Sequence, residues 1–344
     1  MKEYGNPRSQ DMIHKQDDGF IIKTFIEDDN PHYKCRLDVA VVNDSDITIS
    51  VPFTIDWGNS QCVRLYSYIL LNNKEDEWIK VKGEGKDGKV FVTVDVPPGY
   101  SRLSMHPPYD YDRLIRLLET LPEDIFTMKV IGKSFCGRDI FAIEAGLKNK
   151  RPLVVLTRVH PYESIGSYFA DGMIKWLMDQ NEEANKLLSQ NRIVFIPMPN
   201  PDGVVEGYCR TTIGNLDLSY VAGSNEPEAI ALIDYAKDNN ALANFDLHGY
   251  MYNYERLRSN DSARLEMLSK RFASMPELFN KEINIFNDKY PPNGKEINFG
   301  GFIVNRLGGT YFNSSWSWYD RDAYHLRLMG IEILKGYSDL FKNT

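Results

Sequence analysis

Two stretches of this chain, 151–157 (RPLVVLT) and 192–197 (RIVFIP), are apolar on nearly every position, and 242–247 (LANFDL) reads as a further strand of similar size. A strand that is apolar on both faces must be covered on both faces, which is the situation of a sheet lying between helix layers. The flanking segments supply the helices. Residues 110–121 place Leu114, Leu117, Leu118 and Leu121 at helical spacing, and 165–178 and 227–238 also read as helices. The pattern predicts an α/β sheet with helices packed on each side. Ligands of such sheets collect beyond the carboxyl ends of the strands, so chemistry is sought just after 157, 197 and 247.

Residues 19–103 follow another grammar. Short runs of alternating apolar residues (RLDVAVVNDSD, ITISVPFTID, CVRLYSYIL, WIKVKGEGKDGKVFVTVDVPPG) are broken by turn residues about every ten positions, which predicts an antiparallel β-sandwich. Gly85-Lys-Asp-Gly88 is a hairpin-turn candidate. The grammar changes at His106-Pro107-Pro108-Tyr109, so the expected units are 1–105 and 106–344.

Composition narrows the partners. The 344 residues carry 40 basic and 48 acidic side chains, a net charge of −8, which disfavours a protein that works by covering nucleic acid phosphate. No apolar run approaches the ~20 residues of a membrane span, so no membrane partner is expected. The N-terminal MKEYGNPRSQDMIHKQDDGF has no apolar core of the secretory kind, and a cytoplasmic setting is the expectation. Cys35, Cys62, Cys136 and Cys209 form no CxxC pair and read as reduced, mostly buried thiols. Protein partners are not legible.

The first continuous strand runs into His160-Pro-Tyr-Glu163 and then into a helix, so one imidazole and one carboxylate three positions apart converge at a strand end. Alone, the pair also fits a helix-start acid beside a surface imidazole. Yet His248, 85 residues after Glu163, stands at another strand's carboxyl end, and the chain has only six histidines. His160, Glu163 and His248 together make a two-imidazole, one-carboxylate set suited to one Zn²⁺ ion, with a fourth position open for water or substrate. The turn-rich loop 197–210 ends in Arg210, whose guanidinium could stabilise charge developing on a carbonyl oxygen; a solvated surface arginine is the other reading.

At these residues the chain resembles the zinc carboxypeptidase family, the funnelin or M14-type metallopeptidases. The matching pieces are GKSFCGR at 132–138, HPYE at 160–163, NPDG at 200–203 with Arg210, the Asp217-Leu218 pair, Pro227-Glu228 and DLHG at 246–249, in family order over roughly 106–344. The preceding β-region running into HPPYDYDRLIRLL resembles the N-terminal domain of the cytosolic carboxypeptidase subgroup. The resemblance implies a mixed, mostly parallel sheet flanked by helices, zinc held by His160, Glu163 and His248, Arg210 polarising a scissile carbonyl, and hydrolysis of a peptide or amide bond.

Two departures qualify it. Where the family usually reads DLNR, gripping a terminal carboxylate with Asn and Arg, this chain reads Asp217-Leu-Ser-Tyr220, which leaves Ser219 and Tyr220 with Arg210 as the substrate-binding candidates. The family's catalytic glutamate lies on a strand near the C-terminus; here that strand is GGTYFNSS, with Asn313 at the glutamate's position, followed by a helix over 323–341. An amide cannot take a proton from water, and general base catalysis is worth about 10²–10⁴-fold. Substitute carboxylates are Glu255, otherwise a loop charge, Asp320, which would qualify if the strand extended to it, and Asp322, otherwise a helix cap. Tyr250, Tyr252, Tyr254, Tyr311, Phe312, Trp316, Trp318 and Tyr319 are expected mostly to pack, with some flooring a pocket. The readings are a zinc-dependent hydrolase with an atypical substrate, a zinc-retaining binder of a peptide or cell-wall fragment that does not cleave it, and a scaffold.

Overall fold

The computed structural model describes residues 13–26, 35–58, 68–221, 223–250, 254–280, 283–288 and 298–342. Cys62, Tyr252 and most of the run CVRLYSYIL lie outside the described residues, as do the side chains of Cys35 and Tyr250.

The N-terminal strands are β1 (Ile13–Lys15), β2 (Phe20–Lys23), β3 (Phe25–Ile26), β4 (Cys35–Arg36), β5 (Asp38–Asn43), β6 (Ile49–Asp56), β7 (Tyr68–Lys74), β8 (Glu77–Lys82), β9 (Glu84–Lys86), β10 (Lys89–Val96) and β11 (Gly99–Ser104). They form sheets ordered β1-β2-β6-β10-β9 and β5-β11-β7-β8, with β3 and β4 paired apart. Alternation works as expected: Val90, Val92, Val94 and Val96 of β10 point into one apolar core with Val39, Leu71 and Leu103 from the other sheet and Leu37 just before it. The pairing is antiparallel except between β2 and β6, where a purely antiparallel arrangement is corrected to a parallel pair. At the β9–β10 hairpin Asp87 and Gly88 both take positive φ, 49° and 78°, the geometry of a two-residue turn matched to strand twist.

Beyond Ser104 the remaining strands are β12 (Phe126–Lys133), β13 (Asp139–Gly146), β14 (Leu153–Thr157), β15 (Arg192–Ile196), β16 (Ala243–Tyr250), β17 (Glu255–Ser259), β18 (Ile283–Asn287) and β19 (Thr310–Ser317). They build one mixed sheet in the order β12-β13-β15-β14-β16-β19-β17-β18. Its centre, β15-β14-β16-β19, is parallel, and every residue of β14 is buried. Helices α1 (Tyr111–Leu118), α2 (Ile165–Met178), α3 (Glu182–Leu188), α4 (Pro201–Val205), α5 (Pro227–Asp238), α6 (Ser262–Ala273), α7 (Phe299–Leu307) and α8 (Ala323–Asp339) accompany it. The sheet has an apolar core on each face: Phe245, Phe312 and Val155 share one with Phe169 of α2 and Met329 of α8, while Val154, Leu156 and Val194 share the other with Leu232 of α5 and Ile303 of α7. The helices predicted over 165–178 and 227–238 coincide with α2 and α5. Asp110 and Asp322 cap α1 and α8, accepting from Arg113 N and His325 N.

Two features tie the N-terminal sheets to the rest of the fold, the first at the metal-ligand loop and the second at α1 and α8. Tyr162, inside the HPYE segment, is buried in the N-terminal apolar core together with Cys209. Asp76, in the β7–β8 turn, accepts from Arg113 of α1 and Arg327 of α8, both at 2.6 Å. No described helix is long and apolar enough to cross a membrane.

Candidate metal centre

The loop after β14 is shaped by an arginine. Arg158 is buried and holds a positive φ of 58°, and it donates through Nε and Nη2 to Pro161 O, and through Nη1 to Tyr109 O and Ser167 Oγ. Burial pushes its guanidinium down, to about 9, so it is still a cation at neutral pH. That clamp turns the chain so that His160 and Glu163, both buried, face the end of β16. There Gly249 packs tightly against the ligand loop: a Cβ on it would stand 3.1 Å from the Glu163 Cβ, closer than ordinary van der Waals contact.

His160, Glu163 and His248 meet with their ligand atoms within 4.8 Å of one another. His160 Nδ1 lies 2.9 Å from Glu163 Oε1, His248 Nδ1 lies 2.8 Å from Glu163 Oε2, and the two Nδ1 atoms are 3.2 Å apart. Each imidazole is held from behind by an acid: Asp246 Oδ2 stands 3.0 Å from His248 Nε2, and Asp217 Oδ1 stands 3.1 Å from His160 Nε2. A carboxylate on the outer nitrogen orients the ring and makes the inner nitrogen a better donor to a metal. Two inward nitrogens and a carboxylate this close form a donor set that could hold a cation, and a borderline ion accepting nitrogen and oxygen fits it.

The electrostatics agree. Burial alone would raise the Glu163 carboxyl, but the two imidazoles hold it well below the usual carboxylate range. Burial would lower the His248 imidazole, but Asp246 and Glu163 push it up to about 10. Asp217 is likewise held low against burial by His160 and Arg210, which donates to Asp217 Oδ2 through Nε at 2.7 Å. An environment that favours a proton on His248 favours a divalent cation in its place.

The other motif residues build scaffold around this centre. Asp202 of NPDG is buried and receives Arg138 Nη1 and Cys136 N, both at 2.6 Å, locking the GKSFCGR loop onto α4. Glu228 accepts from Phe135 N of the same loop at 3.0 Å. Asn200 caps α4 through Gly203 N and donates to Thr211 O, fixing the path to Arg210.

A cavity of about 320 Å³ opens beside the triad, and Arg210, Ser219, Tyr220 and Asn313 all line it. Ser219 Oγ sits 3.1 Å from His160 Nε2 and its N–H donates to Asp217, so Ser219 helps set the imidazole; Tyr220 is half exposed at the rim. On β19 the cavity-facing residues are Tyr311, Asn313 and Ser315, alternating with the buried Phe312 and Ser314. Asn313 pairs in register with Asp246, whose Oδ2 accepts from its Nδ2 at 3.3 Å, and Ser315 pairs with His248. Among the described residues, Glu163 and Asp246 are the carboxylates lining the cavity.

The substitute carboxylates lie elsewhere. Glu255 is a buried residue of β17, not a loop charge, and it binds Arg321 and Asn280 N on the far side of the strand. Strand β19 ends at Ser317, so Asp320 falls in a turn with φ 59°, where it pairs with Lys80, and Asp322 caps α8. Phe312, Trp316 and Trp318 are core, whereas Tyr311 reaches the cavity and Tyr254 is exposed. Cys209 is buried and Cys136 is exposed.

Sequence reasoning did not single out Asp246, Arg256 or Arg258. The first was visible as the D of DLHG; the arginines carried no motif, and only the pairing of β17 with β19 brings them to the cavity.

A buried donor set of two imidazoles and one carboxylate, at the strand ends of a mixed sheet with helices on both faces, marks a candidate metal centre in a carboxypeptidase-like fold. A family model described as zinc carboxypeptidase matches residues 111–215. The chain is 31% identical to zebrafish (Danio rerio) cytosolic carboxypeptidase 2 over 125 residues, 33% of this chain and 17% of that protein. It is 22% identical to the uncharacterised protein ZMO1242 of Zymomonas mobilis over 219 residues, 62% of this chain and 54% of that one, so the chain matches only part of these relatives' lengths. A metallo-carboxypeptidase from Pseudomonas aeruginosa, solved in complex with (2-guanidinoethylmercapto)succinic acid, superposes with TM-score 0.79 at 18% identity, covering 96% of each chain. A metallo-carboxypeptidase from Burkholderia cenocepacia does so with TM-score 0.78 at 16% identity, covering 93% of this chain and 92% of that one. These matches together support membership of the M14-type zinc carboxypeptidase family.

Proposed function

We propose that this protein is a zinc-dependent hydrolase of carboxypeptidase type acting on a peptide or amide bond of an atypical substrate, in the cytoplasm. The observation that carries the reading is the convergence of His160 Nδ1, His248 Nδ1 and Glu163 on one point, each imidazole held by a second carboxylate. Those three residues would hold one zinc ion, which when bound polarises a carbonyl oxygen and lowers the pKa of water. Asp217 and Asp246 keep both rings turned inward. Arg210, anchored through Nε to Asp217, directs positive charge into the cavity, where it would stabilise charge developing on the carbonyl oxygen. Its guanidinium is held above its usual value by Asp217, against burial, and stays charged throughout. Ser219 and Tyr220, in place of the usual Asn-Arg clamp, leave a substrate that is gripped differently. The cytoplasmic setting rests on the similarity to cytosolic carboxypeptidases.

Zinc titration against a chelator tests the metal centre, with tight binding expected in the wild type and loss in His160→Ala and Glu163→Ala. Mass-spectrometric scanning of a synthetic peptide library with the zinc-loaded protein tests the reaction. Slow release of C-terminal residues, absent from both variants, is expected.

A specific observation favours a second reading, a binder that holds a peptide or cell-wall fragment without cleaving it. The residues of β19 that face the cavity are Tyr311, Asn313 and Ser315, none a carboxylate, and both lining acids are engaged by imidazoles. Zinc-dependent affinity for library peptides with no product would establish that reading over the first.

A further inference from the structure

We infer that Arg256 and Arg258 form the anion-recognising wall of this cavity and that the substrate presents a carboxylate to them; the inference deepens the peptide-hydrolase reading and rests on it. The two arginines stand two positions apart on β17, so they share one face, while Leu257 between them is buried on the other. Both line the cavity that holds the metal-ligand triad. The registers β16–β19 and β19–β17 align two rows across the sheet: His248, Ser315, Arg256 and Asp246, Asn313, Arg258. Adjacent strands lie ~4.8 Å apart, so each arginine backbone sits roughly 10 Å from the row's β16 residue. That span suits one amino acid residue whose amide bond lies at the triad and whose carboxylate lies at the guanidinium groups.

The middle strand contributes only short neutral side chains to these rows. Arg256 Nη2 donates to Ser315 Oγ at 2.9 Å, which holds its planar fork over the cavity edge. Arg258 is steadied by Asp288, 3.4 Å from its Nε, and by the Phe286 ring, 5.5 Å away. A guanidinium binds a carboxylate through two parallel hydrogen bonds, which makes this pair a receptor for a planar anion. It stands on β17, whereas Ser219 and Tyr220 lie in the loop before α5, so the grip on the substrate has moved to another element.

A main-chain terminus and an acidic side chain both supply this carboxylate, and three probes separate the two sources: N-acetyl-Ala-Glu, its C-terminal amide, and N-acetyl-Ala-Gln. Isothermal titration with the protein in metal-free and zinc-loaded form is expected to give at least tenfold tighter binding of the probe carrying the recognised carboxylate. Arg256→Gln and Arg258→Gln are each expected to weaken that probe about tenfold or more, as loss of a charge-assisted hydrogen bond requires. Neither should change the affinity for zinc measured by chelator competition. The two variants are made separately, so Arg258→Gln keeps the test valid should Arg256→Gln fail to fold. Equal binding of all three probes, absence of binding, or wild-type affinity in a folded Arg258→Gln overturns the inference. Loss of the zinc reading alone leaves a different signature, carboxylate selectivity in a protein that binds no metal.

Discussion

Asn313→Glu places a carboxylate on the cavity face of β19, where the acids lining the cavity among the described residues are Glu163 and Asp246, both engaged by imidazoles. Its consequences can be worked from the register. Asn313 Nδ2 lies 3.3 Å from Asp246 Oδ2, and the extra methylene of glutamate carries the new group farther into the cavity, to about 5 Å from Asp246. Two unit charges ~5 Å apart repel by about 3 kcal/mol at an effective dielectric constant of ~20. That repulsion corresponds to roughly 2 pKa units, enough to lift the new carboxyl from its ordinary ~4.3 toward 6.5. Arg258, its register partner on β17, draws the value back down. The result is a base poised a little below neutrality, the range in which general base catalysis is worth about 10²–10⁴-fold.

Zinc-loaded wild type and Asn313→Glu would be compared on the same peptide library by initial rates between pH 5 and 9. The variant is expected to turn over at least a hundredfold faster, with a rate that falls on the acid side of about pH 6 as the new carboxylate is protonated. Ser315→Glu, opposite His248 in register, is the control and is expected to gain less. No gain from Asn313→Glu in a folded, zinc-binding variant refutes the reasoning that a missing carboxylate at this position limits turnover.

Proton competition should govern metal uptake: the His248 imidazole, pushed up to about 10, must lose its proton, so apparent zinc affinity should rise about tenfold per pH unit from 7 to 9 in chelator titrations. In metal-free protein the same raised value stabilises the fold fully below the unfolded value of ~6.5, and this contribution should disappear as pH rises through about 10, visible in urea unfolding. Asp76→Ala removes the acceptor shared by Arg113 and Arg327 and should cost about 1–2 kcal/mol, discounted for its partial exposure. Because the arginines hold Asp76 below its usual value against burial, that contribution should persist above pH ~4 and fade as pH falls through the lowered value. Phe245→Ala, which empties a fully buried site stacked on Tyr337 with centroids 4.1 Å apart, should cost about 3–5 kcal/mol by denaturant unfolding. Since β16 also carries His248, that variant should lose zinc affinity along with stability.

Much of this molecule was legible because its signals are local. The continuous apolar runs demanded a covered sheet, the 3.6-residue period located α2 and α5, and the strand-end rule pointed to His160, Glu163 and His248, which do converge. A helix cap such as Asp322 is local too, since its partner is three residues away. What tertiary structure decided is everything that depends on which strand lies beside which. The parallel pairing of β2 with β6 joins strands distant in sequence, and no alternation pattern reports direction. Glu255, read as a loop charge, is buried against Arg321, a partner 66 positions away. Arg256 and Arg258 look like any alternating polar residues until antiparallel pairing with β19 turns them toward the metal-ligand triad. Residue type and short-range period are written into a chain of L-amino acids by sterics and burial, whereas register between distant strands is chosen only when the whole sheet closes over its core.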